Sequence, residues 1–371
     1  MATKKISKII AINFLFFFTL LFAPGFIYKI YSLTAPFRNS IKKESSDPRV
    51  NYPTYENKKR ANQIYLDLLN TKSKYRSFIG WQSDINFSKS TNISGKYNTR
   101  KSLGENLNNS YWFFGGSTIW GYGESDAETI PSHFNKLTKK KVFNFGEKGW
   151  NSRQSLNQLI NIIGEGYIPE KIIFYDGINE ILSQCLSQIT ELPNHYYEKK
   201  IREKLKTELD WKQLNQNTLN FIIKPYSKII NYQSQNKINN FYDCDSNNLK
   251  SKRIAKHLLN NWYVGYLIAK NNQSEFIGIL QPNIYTSKVK YDYFDETEKT
   301  NVLSFKNHSE AVYKEIIIEM EQACLFDKLF CKNLINGSSW LKNKENVFID
   351  RFHINGKGNK IISEKIAEIF K

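Results

Sequence analysis

Three residue types able to run nucleophilic acyl chemistry stand at suggestive places in the chain. Ser117 sits in YWFFGGSTIWG, and Asp350 and His353 sit together in DRFH. Asp350 and His353 are three apart, so one turn can point both side chains the same way. The three supply a hydroxyl nucleophile, an imidazole to take its proton, and a carboxylate to hold the imidazole tautomer. Such chemistry also needs donors aimed at the developing oxyanion. Gly149 offers a backbone N–H that no Cβ obstructs, Asn179 offers a neutral side-chain amide, and Ser117 adds its own N–H. Taken alone, Gly115-Gly116-Ser117 reads equally well as a turn after any strand. The joint pattern is far more specific than any one part.

The elements around these residues are those that would gather them. Tyr111–Gly115 is an apolar run ending in glycines, as a buried parallel strand looks at its carboxyl end. Lys141–Phe145 leads to Gly149, Lys171–Tyr175 to Asn179, Glu275–Leu280 to Gln281-Pro282-Asn283, and Val347–Ile349 to Asp350. Between them lie helical patterns. Thr129 caps one, with Pro131 in its first turn. Asn151 or Ser152 caps another, and His308–Cys324 and Gly358–Phe370 are two more. Alternating strands and helices predict a parallel sheet covered on both faces, with ligands at the carboxyl ends of its strands.

At these positions the chain resembles the SGNH (GDSL-like) hydrolases. Its blocks resemble GGSTIWG with Ser117 as nucleophile, NFGEKG with Gly149, GINE with Asn179, and DRFH with Asp350 and His353. The resemblance covers 108–371 and implies a flavodoxin-like three-layer α/β/α fold with a central parallel sheet of about five strands. It also implies serine-dependent hydrolysis or transfer of esters. Two departures stand out: Gly116 replaces the aspartate of GDS, and Glu180 replaces the aspartate of GxND. An ordinary α/β-hydrolase is disfavoured, because Ile119 stands where G-x-S-x-G needs its second glycine.

Ahead of that region, residues 1–8 form a short tail bearing three lysines, and 9–28 form an uncharged apolar run. Roughly 20 such residues suffice to cross a bilayer as a helix. An uncleaved signal anchor is favoured over a removed signal peptide, since no convincing cleavage site follows directly. Basic residues flank the run on both sides, so charge alone leaves its orientation open. Residues 29–107 read as a stalk and amino-terminal extension, with a helix near 57–69 and a short hairpin within 79–107. A polar, partly helical insertion is expected over about 183–260.

The net charge of +18 accompanies many Asn, Ile, Phe and Tyr, and no nucleic-acid-binding motif goes with it, so nucleic acid is not expected as a partner. Neither a metal nor an organic cofactor is expected. His133, His195, His257 and His308 lack ligand spacing, and Asp243-Cys244-Asp245 lacks a matching histidine. Trp120, Tyr122 and Gln281 are candidates to border the substrate, the alternatives being core packing for the two aromatics and a strand-terminating turn for Gln281. Cys324 and Cys331 lie close enough to close a small loop, and Cys185 and Cys244 could tie the insertion, if the compartment is oxidising.

The leading expectation is a single-pass membrane-anchored serine esterase with its catalytic domain outside the cytoplasm. Its expected substrates are esters, above all O-acyl groups on carbohydrate or an envelope polymer. An O-acyltransferase using the same triad, and a catalytically silent glycan-binding protein, are the alternatives.

Overall fold

A computed structural model describes residues 2–34, 45–104, 106–195, 197–198 and 242–371 of the 371-residue chain. The chain divides into two units, Met1–Lys42 with Glu198–Asn240, and Lys43–Tyr197 with Phe241–Lys371. The described part of the first is chiefly one helix, Ala2–Leu33. Its stretch from Ile6 to Tyr31 is long and apolar enough to cross a membrane.

The second unit is built on a seven-stranded sheet. The strands β1 (Ser73–Arg76) and β2 (Gly80–Ser83) form a separate hairpin. The main sheet contains β3 (Ile93–Ser94), β4 (Thr99–Leu103), β5 (Tyr111–Gly115), β6 (Val142–Asn144), β7 (Lys171–Asp176), β8 (Glu275–Leu280) and β9 (Leu334–Asn336). Their order is β3-β4-β6-β5-β7-β8-β9. The last five in that order run parallel, and β4 joins β6 antiparallel. Order therefore reverses between β5 and β7, which defines the crevice where ligands bind in open α/β sheets.

Burial on both faces explains why the parallel strands read as continuous apolar runs. Trp112, Phe114, Ile172 and Phe174 point to one face, covered by the helices Ser152–Gly164, Asn248–Asn271 and Glu296–Phe326. Tyr111, Phe113, Ile173 and Tyr175 point to the other, covered by Ile130–Thr138 and Gly356–Ile369. The result is a three-layer α/β/α unit. Helix starts follow local chemistry: the Thr129 hydroxyl accepts from the Ser132 N–H at 3.2 Å, and Asn151 forms a capping box with Gln154.

Two expectations are corrected. Val347–Ile349 is buried, but it pairs only through a bridge from Phe348 to Ile354, and the fifth parallel strand is β9. Most of the expected 183–260 insertion lies outside the described residues, and from Asn248 the chain is a core helix carrying Ile254, Leu258 and Trp262 inward. Of the stalk and amino-terminal extension, the described residues 45–104 lie in the same unit as the sheet and add β3 and β4 to its edge.

Candidate active site

The parallel strands deliver their polar residues to one edge. β5 ends at Gly115, beside Tyr175 of β7, so Ser117 and Asn179 emerge from neighbouring strand ends. Ser117 opens a four-residue helix, Ser117–Trp120, and its N–H is an orphan donor of that first turn. On the turn after Phe348, Asp350 Oδ1 accepts from the Phe352 N–H at 2.9 Å and the His353 N–H at 2.8 Å.

Ser117, Asp350 and His353 meet. His353 Nδ1 is 2.7 Å from Asp350 Oδ2, and His353 Nε2 is 2.7 Å from Ser117 Oγ. With the Nδ1 proton directed at the carboxylate, Nε2 accepts from the serine hydroxyl. Asp350 is buried while Ser117 and His353 remain partly exposed. Burial alone would raise the Asp350 pKa, but the charge and hydrogen bond of His353, then Arg49, hold it well below the ordinary carboxylate range.

The three expected oxyanion donors stand close by. A Cβ on Gly116 would lie 2.0 Å from Asn179 Nδ2 and 3.2 Å from the Trp150 carbonyl oxygen. The loops that carry the serine, Asn179 and Gly149 thus converge on one small volume. Asn179 Nδ2 donates one proton to Trp150 O at 2.7 Å, and its other has no partner among the described residues. Gly149 has φ +75°, a conformation that side chains disfavour, and its N–H also has no partner among the described residues.

Both departures from the family pattern have local explanations. Gly116 leaves the space that the Asn179 amide occupies. Glu180 turns inward, where its carboxylate accepts from the Ser152 N–H at 2.7 Å and from Gln184 Nε2 at 2.8 Å. With the Asn179–Trp150 bond, this fastens the Asn179 loop to the Gly149 loop at two points. Burial pushes the Glu180 carboxyl up to about 7, against these hydrogen bonds.

The proposed substrate contacts fare differently. Tyr122 is half-buried and its ring packs against His353, with centroids 4.5 Å apart and planes inclined by 31°. Trp120 is 1% exposed and covered by Arg100 and Lys148, which lie 4.4 and 4.8 Å from its ring centroid, so it is a core residue. Gln281 is also 1% exposed, and its backbone is engaged by Asp176 and Tyr313. Both side chains are thus packed in the interior. Disulfides join Cys324 to Cys331 and Cys185 to Cys244.

Sequence reasoning missed three contributors from the amino-terminal part of the unit. Trp81 of β2 donates through Nε1 to Lys148 O at 3.0 Å and accepts at its carbonyl from Trp150 Nε1 at 2.8 Å, propping the Gly149 turn from both sides. Buried Glu147 receives the N–H and hydroxyl of Ser83. Arg49 Nη1 donates to Asp350 Oδ2 at 2.8 Å. A separation of 301 residues leaves no local signal for that pair.

A cleft of about 660 Å³ opens beside His353, lined among others by Tyr52, Asp295, Glu298, Asn301 and Arg351. Its wall is rich in hydrogen-bonding groups. Fold and site together define a three-layer α/β unit with a Ser–His–Asp constellation at its switch point.

No protein-family model matches the chain, and no curated protein matches it. Among solved structures it is similar to a lipolytic protein of the G-D-S-L family from Veillonella parvula DSM 2008, at 13% identity and TM-score 0.41, covering 70% of this chain and 97% of that one. A putative lipolytic G-D-S-L protein from Desulfitobacterium hafniense DCB-2 is similar at 12% identity and TM-score 0.35, covering 71% and 99%. The acetyl xylan esterase AlAXEase is similar at 11% identity and TM-score 0.29, covering 70% and 98%.

Proposed function

We propose that the chain is a membrane-anchored serine esterase of the SGNH type that removes O-acyl groups from carbohydrate or an envelope polymer outside the cytoplasm. The observation that carries this reading is His353, placed 2.7 Å from both the Ser117 hydroxyl and the Asp350 carboxylate. Ser117 Oγ attacks the acyl carbon while His353 Nε2 takes its proton. The oxyanion accepts from the N–H groups of Ser117 and Gly149 and from the Asn179 amide. His353 then returns the proton to the departing alkoxide, and water repeats the sequence to release the acid.

The wall of polar side chains beside His353 favours a polyhydroxylated alcohol as leaving group, since hydroxyls can replace the water that those groups would lose. The apolar run Ile6–Tyr31 supports attachment to a bilayer. Two disulfides fit an oxidising compartment.

The test is hydrolysis of a chromogenic acetyl ester and of O-acetylated oligosaccharides by purified protein. Ser117→Ala should lose activity by roughly 10⁴-fold or more with its fold unchanged. Turnover retained by Ser117→Ala would refute the assignment.

A further inference from the structure

Arg49 comes from a short 3-10 turn, Pro48–Asn51, that precedes every strand of the sheet. Asp47 caps that turn, accepting from the Arg49 N–H at 3.0 Å. The same carboxylate takes Arg49 Nε at 2.9 Å and Nη2 at 2.8 Å. The guanidinium is thereby fixed from behind, and its remaining face meets the triad. Nη1 donates to Asp350 Oδ2 at 2.8 Å and Nη2 to Tyr122 Oη at 3.0 Å. The plane also lies 4.9 Å over the Tyr65 ring and 5.2 Å over the Tyr122 ring. Tyr122 in turn packs against the His353 ring. One arginine thus touches the carboxylate of the triad and the ring that covers its imidazole.

We propose that Arg49 is a positioning residue of the triad, fixing the Asp350 carboxylate against His353 and offsetting its charge. The proposal rests on the serine-hydrolase reading above. The physics follows from the order of charges, Asp47, Arg49, Asp350 and His353. A buried carboxylate facing an imidazole favours the imidazolium, which cannot accept the serine proton. A guanidinium on the same carboxylate oxygen disfavours the imidazolium by like-charge repulsion. The bond also holds Oδ2 where Nδ1 needs it, so geometry and charge come from one contact. Burial opposes the charge on Arg49, but its hydrogen bonds to Asp47 and the neighbouring Asp350 carboxylate keep it protonated.

Asp47, Tyr65 and Tyr122 face Arg49, and Tyr55 hydrogen-bonds Tyr65. Across the cleft, Arg351 is paired with Glu298 at 2.7 Å, and Asp295 with Tyr52 at 2.9 Å.

The experiment measures kcat and KM for a chromogenic acetyl ester against pH, using the full chain in detergent. Wild type, Arg49→Gln, Arg49→Lys, Asp47→Asn and Ser117→Ala are compared, each checked by circular dichroism. Arg49→Gln should lower kcat by roughly ten- to a hundredfold, the rate equivalent of one charge-assisted hydrogen bond. Its acidic limb should move up by roughly one pH unit, because the imidazolium is no longer repelled. Arg49→Lys, which keeps the charge, should leave the limb near its wild-type position and restore part of kcat. Asp47→Asn should move the limb the other way, to lower pH, since Arg49 then acts on the triad with its charge less neutralised. That opposite shift tests the proposal even if Arg49→Gln does not fold. A uniformly scaled rate with unmoved limbs in Arg49→Gln and Asp47→Asn would overturn it, as would a rise in KM alone, which would make Arg49 a substrate contact. Failure of the serine-hydrolase reading would look different: Ser117→Ala would then turn over the ester as wild type does.

Discussion

Gly116 and Asn179 occupy the same pocket of space. A Cβ on Gly116 would sit 2.0 Å from Asn179 Nδ2, well inside contact distance. The oxyanion role proposed for Asn179 therefore depends on the residue before the nucleophile having no side chain. Asn179→Ala should lower kcat by roughly 10²- to 10³-fold with little change in KM. Gly116→Ala should displace the amide and produce a loss of similar size. The double variant should be scarcely worse than either single one, because both remove the same donor. Losses that multiply in the double variant would separate the two residues, and steady-state kinetics on the three proteins decides.

Asp350→Asn keeps the shape of the triad but presents the wrong hydrogen-bonding partner to His353 Nδ1, and it removes the acceptor of Arg49 Nη1. We expect kcat to fall by roughly 10⁴-fold, as when an imidazole is held in the unproductive tautomer. Activity within tenfold of wild type would show that His353 is oriented by its other contacts.

Glu124 supplies a pH dependence of stability. Its carboxylate accepts from the Gly356 N–H at 2.8 Å, and burial pushes it from 4.5 up to about 7 against that bond and Arg60. As pH rises from 4.5 to 7, the unfolded chain releases this proton before the folded one does. The folded state therefore loses stability across that window and does not regain it above. Glu124→Gln should raise the melting temperature by a few degrees at pH 8 and leave it unchanged near pH 4. Melting curves at the two pH values provide the check, and equal shifts at both would remove the carboxylate's titration as the cause.

The two disulfides differ in the loops they close, with sequence separations of 59 for Cys185–Cys244 and 7 for Cys324–Cys331. Chain entropy assigns about 4 kcal/mol to the longer loop and about 2.5 kcal/mol to the shorter. Replacing Cys185 and Cys244 by serine should thus lower the denaturation midpoint more than replacing Cys324 and Cys331. The reverse order in guanidinium titrations would mean that local packing outweighs loop length.

Much of the site is legible because parallel strands buried on both faces advertise themselves. Tyr111–Gly115, Lys171–Asp176 and Glu275–Leu280 are apolar runs that stop at polar or glycine residues, and the first two stops lead into Ser117 and Asn179. The same signal misleads at Val347–Ile349, whose three residues are fully buried yet make no ladder. It misses β9, which is short and only half-buried at the sheet edge. Asn248–Asn271 hides its core role behind a polar outer face of Lys and Asn. Trp120 and Tyr122 look alike in sequence, and only tertiary contacts put one under Arg100 and the other against His353. Arg49 lies beyond any local pattern, since nothing in a turn that begins with proline names a partner 301 residues away.

The two margins of the main sheet carry a consequence for crowding. β3 is two residues long and β9 three, so neither margin offers an extended row of backbone donors and acceptors to another chain. Copies tethered to one bilayer by the proposed anchor would meet repeatedly, which is when strand-to-strand adhesion between neighbours becomes hazardous. Margins this brief give such encounters little to zip together. We infer that dense lateral packing on a membrane would be tolerated without the domains fusing into a continuous sheet.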